Sequence, residues 1–102
     1  MVRMAILFAL LVVSVSGYPL EGISMWGCAP EGERRSVLYL ADRGARSYVK
    51  LGAHRVPASV HRQEGRSTWS FSTTSIVLDE QEMADYLQDG VLVGRFKCKM
   101  ME

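Results

Sequence analysis

The run Val91–Met100, VLVGRFKCKM, decides the fold class. Its side chains alternate, as they do on a β-strand whose two faces meet different surroundings. Leu92, Phe96, Cys98 and Met100 fall on one face, and Val93, Arg95, Lys97 and Lys99 on the other. Gly94 interrupts the run at a position suited to a bulge. Upstream, Ser36–Ala41 (SVLYLA) sets Leu38 and Leu40 against Val37 and Tyr39. Ser47–Leu51 and Arg55–Val60 are further short runs, and Pro57 makes the latter an edge or broken strand, because proline has no N–H to give a ladder. Thr68–Thr74 (TWSFSTT) is β-prone and puts Trp69, Phe71 and Thr73 on one face. The alternation predicts Leu38, Leu40, Leu92, Phe96 and Cys98 as core.

One segment breaks the period. Asp79 can cap a helix with Glu82 three residues later, and Met83, Tyr86 and Leu87 then recur at helical spacing before the turn signal Asp89-Gly90. The spacing predicts a short helix near Asp79–Leu87. Loops are expected at Ala29–Arg35, Asp42–Arg46 and Gln63–Ser67. Several short antiparallel strands with one late helix favour an all-β antiparallel β-sandwich.

Composition bounds the rest. The chain has 102 residues, 48% of them hydrophobic, with 12 Lys+Arg against 11 Asp+Glu. That suits one small folded domain and lacks the basic excess of a nucleic-acid binder. Two cysteines are too few for a disulfide-dense mini-protein. The chain contains no asparagine, so N-glycosylation is excluded.

Met1–Gly17 (MVRMAILFALLVVSVSG) differs from the rest of the chain. One arginine, an apolar run from Met4 to Val13, and small residues at Ser14, Ser16 and Gly17 form the three-part pattern of a secretory signal peptide. The apolar run falls short of the ~20 residues of a membrane-spanning helix, so no membrane span is expected. The domain reading is therefore 1–17 as a signal-peptide-like or spurious segment and 18–102 as the folded unit.

The C-terminal third resembles the end of a MATH domain, the TRAF-like β-sandwich. Thr68-Trp69-Ser70-Phe71 is similar to the family's Trp-Gly-Phe/Tyr strand. Tyr86-Leu87-Gln88-Asp89-Gly90-Val91-Leu92-Val93, with Phe96-Lys97-Cys98-Lys99 after it, is similar to the family's Tyr-Leu-x-Asp-Asp-x-Leu motif and its Cys-bearing strand. Ala29-Pro30-Glu31-Gly32 resembles its Pro-x-Gly turn, and Ser36–Leu40 its Ser-Val-x-Leu strand. The likeness is closest to truncated plant MATH–BTB-type proteins and implies an incomplete MATH-like sandwich. It further implies a non-catalytic protein-binding module, similar to the substrate-recognition domain of cullin-dependent ubiquitin ligase adaptors but without a BTB domain, in the cytoplasm or nucleus. The expected partner is a protein or an extended peptide, with no cofactor and no nucleic acid.

In such adaptors, aromatics at the positions of Tyr39, Trp69 and Phe71 line a shallow groove in which an extended peptide lies as an added strand. Large aromatics are mostly buried, so the residues themselves leave groove and core both open. Cys28 and Cys98 can form one disulfide: a signal peptide favours the bond, and the intracellular resemblance disfavours it. A zinc site from Cys28, Cys98, His54 and His61 matches no finger or ribbon spacing, and no nucleophile or phosphate-loop motif is present, so no catalysis and no metal are expected. The arginines at 34/35, 43/46 and 62/66 read as a solvated surface. The alternative reading is a small secreted one-disulfide β-sandwich acting as an effector or receptor ligand.

Overall fold

The structure is a computed structural model that describes residues 24–101. The signal-peptide-like segment 1–17 lies outside the described residues. Nine strands make up most of the described residues: β1 Ser24–Pro30, β2 Leu38–Asp42, β3 Tyr48–Leu51, β4 His54–Pro57, β5 Ser59–Gln63, β6 Arg66–Phe71, β7 Thr74–Leu78, β8 Met83–Gln88 and β9 Val91–Met101. A 3-10 turn, Gly44–Arg46, joins β2 to β3. Among the described residues no helix is long and apolar enough to cross a membrane.

The strands form one antiparallel sheet in the order β4-β3-β2-β1-β9-β8-β7-β6-β5. Two meanders, β1–β4 and β5–β9, are thus joined where the first strand pairs with the last. A flat sheet of nine strands would hold its edges roughly 38 Å apart. Yet the edge strands β4 and β5 are separated in sequence by Ala58 alone. Two virtual bonds span at most about 7.6 Å, so the sheet must curl until its edges meet. The result is a nearly closed roll, with one continuous sheet in place of two separate sandwich layers. Pro57 stands where the strand breaks, and the chain on either side of Ala58 pairs with β3 and with β6.

The interior holds Cys28, Leu38, Leu40, Val49, Trp69, Ile76, Leu78, Ala84 and Cys98, with Trp26, Leu51, Val60, Phe71, Tyr86 and Phe96 packed partly buried against them. These are the inward phases of alternating strands, and Leu38, Leu40 and Cys98 lie where alternation places them. Cys28 and Cys98 face each other in the β1–β9 register and are joined by a disulfide. The bond closes the seam between the two meanders across 70 residues. Under the chain-entropy account a loop of that size stabilises the fold by about 4 kcal/mol.

Two expectations are corrected. Asp79–Leu87 is not a helix: Met83–Gln88 is strand β8, with Ala84 buried and Tyr86 packed against the core. Asp79 does cap backbone N–H groups, accepting from Gln81 N at 2.9 Å and Met83 N at 3.0 Å. The capped element is a hairpin turn, closed by Glu82 N donating to the Asp79 carbonyl at 3.1 Å, with Glu82 at φ 65°. An Asx-type cap serves a turn as well as a helix start, and the capping-box signal does not separate them.

The second correction is Leu92, which is exposed rather than core. Leu92 pairs with Leu87, but Gly94 pairs with Tyr86, so Val93 is an extra residue on β9. This bulge shifts the alternation by one. Phe96 and Cys98 stay on the inward phase, and Leu92 moves to the opposite one.

Candidate functional site

The end of the roll that carries the β6–β7 and β8–β9 turns holds the three most exposed large apolar side chains of the described residues; Met100 and Met101 are exposed at the other end of β9. Asp89-Gly90 closes the β8–β9 hairpin with φ 53° and 80°, both left-handed, as a type I′ turn requires. The Asp89 N–H donates to the Thr73 carbonyl at 2.9 Å, which fastens this turn to its neighbour. Directly after it stand Val91, Leu92 and Val93, which are 63%, 54% and 57% exposed. The sheet register places Phe71, Thr74, Gln88 and Val91 in one row across β6, β7, β8 and β9. In from that row, Tyr86 and Phe96 pair with ring centroids 6.3 Å apart. Phe71 is half-buried on this rim and Thr74 is buried beneath it.

The three aromatics expected to share a groove do not come together. Trp69 is 1% exposed and donates from Nε1 to the Ala41 carbonyl at 3.0 Å. Phe71 packs on the same interior but reaches the rim. Tyr39 lies on the outer face, out of phase with buried Leu38 and Leu40, and its ring covers the bare Cα of Gly27 opposite. A sheet wall thus separates Tyr39 from the other two. Of the expected site residues, Phe71 alone belongs to the apolar rim.

Cys28 and Cys98 are bonded to each other, which removes both from any metal-ligand set. His54 and His61 are exposed on β4 and β5. The residues that sequence reasoning misses are Val91, Leu92 and Val93. The available signal is the Asp-Gly turn with three apolar residues and then Gly94 after it, a run without alternation that ends on a bulge-prone residue.

Among the described residues the ion pairs are Arg62–Asp42, linking β5 to β2, and Arg95–Asp85, at 2.9 Å. The Asp85 carboxylate raises the Arg95 pKa above its ordinary value, first through the hydrogen bond and then through its charge.

No family model matches the chain, and neither a curated protein nor a solved structure matches it significantly.

Proposed function

We propose that this chain is a non-catalytic protein-binding module that works outside the cell and docks a protein partner on its apolar rim. The observation that carries the reading is the exposure of Val91, Leu92 and Val93 in sequence on a pinned hairpin. Val91 stands on the inner phase and Leu92 on the outer, so the mouth of the roll is apolar on both sides of its wall. Scattered exposed apolar residues are ordinary, but several together on a rigid support are the usual anchors of a protein contact. The bulge at Val93 supports this, since it places Leu92 outside at the expense of the interior. Half-buried Phe71 stands in the same row as Val91, three strands along the mouth of the roll. The extracellular placement is supported by the buried Cys28–Cys98 bond together with the signal-like pattern of Met1–Gly17.

The test is partner capture followed by reconstitution. Immobilised protein is exposed to the extracellular fluid of its source, and any captured protein is purified and its affinity measured. Leu92→Asp/Val93→Asp is expected to weaken that affinity at least ~100-fold, as loss of central anchors does. Equal affinity of the double variant and the wild type would reject the rim as the docking surface.

A further inference from the structure

On the outer face, far from the apolar rim in the register of the sheet, the ladder aligns Lys99, Gly27, Tyr39, Lys50 and Arg55 in a single row across β9, β1, β2, β3 and β4. Neighbouring strands lie ~4.8 Å apart, so the row runs roughly 19 Å measured along the curved sheet. Lys97 stands two residues before Lys99 on the same face. The buried disulfide fixes these phases: Cys98 and Cys28 point inward, so Lys97, Lys99 and Gly27 point outward.

Four cations therefore share one strip of the curved outer face. Neither ion pair of the described residues involves Lys50, Arg55, Lys97 or Lys99. Arg95, the next outward cation on β9, is already held by Asp85 and marks where the strip stops. Two tyrosines hold the cations in place. The Lys50 ammonium sits 5.6 Å from the Tyr39 ring centroid, and the Arg55 guanidinium lies 4.1 Å from that of Tyr48. Gly27 leaves room for the side chains around it: a Cβ there would stand 3.0 Å from Met101 Sδ, 3.1 Å from Ser36 Oγ and 3.4 Å from the Tyr39 ring.

We infer that this strip binds a sulfated polysaccharide. Unpaired cations in series along the curved wall match a linear polyanion that bends with it, whose fixed charges release counterions when they meet several of them together. Single-stranded nucleic acid would need open aromatic faces on which bases can stack. Here Tyr48 is buried beneath Arg55, and Tyr39 is taken up by Lys50 and Gly27. The choice of a sulfated glycan among polyanions rests on the extracellular reading. The strip itself is independent of the apolar rim.

The probe is heparin, with unsulfated hyaluronan, polyuridylate RNA and phosphatidylserine vesicles as comparisons. Wild-type protein is expected to stay on immobilised heparin at ~0.15 M salt. Lys50→Gln/Arg55→Gln/Lys97→Gln/Lys99→Gln should lower heparin affinity at least ~10-fold at that salt, whereas Arg43→Gln/Arg66→Gln, two exposed arginines off the strip, should leave it within about twofold. If the quadruple variant melts early, Lys97→Gln/Lys99→Gln alone must weaken binding several-fold at an unchanged melting temperature. The proposal is overturned if heparin is not retained, if the Arg43/Arg66 variant loses as much as the strip variants, or if hyaluronan, RNA or vesicles bind more tightly than heparin. Leu92→Asp/Val93→Asp should bind heparin like the wild type, so failure of the rim and failure of the strip are read separately.

Discussion

The Trp69 indole nitrogen donates to the Ala41 carbonyl at 3.0 Å across the inside of the roll. Four strands of the sheet lie between β6 and β2, so this bond ties opposite walls together. Trp69→Ala should lower stability by about 3–5 kcal/mol, through the cavity and the orphaned carbonyl together. A domain of this size has only ~5–15 kcal/mol in total, so the urea transition should move sharply or vanish. Trp69→Phe retains most of the packing and should cost less. A Trp69→Ala variant that melts like the wild type would show the indole to be dispensable to the core.

The Cys28–Cys98 bond predicts no free thiols in protein denatured without reductant. Reduction, or Cys28→Ala/Cys98→Ala, should destabilise the fold by about 4 kcal/mol, read as a shift of the denaturant midpoint. Two thiols per chain in native preparations would contradict the bond and weaken the case for an extracellular protein.

Leu40 and Leu92 separate a true core position from a bulge-shifted one. Leu40→Ala should cost roughly 2–5 kcal/mol, because Leu40 is fully buried. Leu92→Ala should change stability by no more than about 0.5 kcal/mol. Equal losses at the two positions would mean that the alternation runs unbroken through Val93.

Glu82 occupies the left-handed region at φ 65° in the β7–β8 turn. A non-glycine residue there costs roughly 1–2 kcal/mol, part of which glycine returns through its looser unfolded state. Glu82→Gly should therefore raise stability by about 0.5–1 kcal/mol. Asp79→Ala should lower it by about 1 kcal/mol, since two backbone N–H groups lose their acceptor. A helix at Asp79–Leu87 would reverse the first sign, because glycine disfavours a helix interior.

The β class is legible in the sequence wherever alternation is uninterrupted. Leu38, Leu40, Phe96 and Cys98 fall on the inward phase, and Pro57 breaks its strand as its missing N–H requires. Two kinds of residue mislead. Asp79 offers the same acceptor to a helix start and to a hairpin turn, and Met83, Tyr86 and Leu87 fit 3.6 residues per turn although the inward residues are Ala84 and Tyr86, two apart. Gly94 signals a bulge, but the extra residue is Val93, and a single inserted residue reverses every phase before it. Strands β1 and β7 leave little trace in the alternation. Gly27 and Pro30 sit in the first, and the second comes so soon after Trp69 and Phe71 that the two strands read as one run across the Ser72-Thr73 turn. The site is less legible still, because an exposed apolar run and a buried one look alike until register assigns the faces.

The apolar rim is tested most directly by a photo-cross-linking side chain, Leu92→p-benzoylphenylalanine, introduced into the full chain and irradiated in the extracellular fluid of its source. The same substitution at Gln63, exposed on β5, serves as the reference. One discrete protein adduct is expected from position 92, absent from position 63 and lost when Val91→Asp is added. Adducts that are absent from both positions, or the same from both, would contradict a protein-docking surface at Val91–Val93.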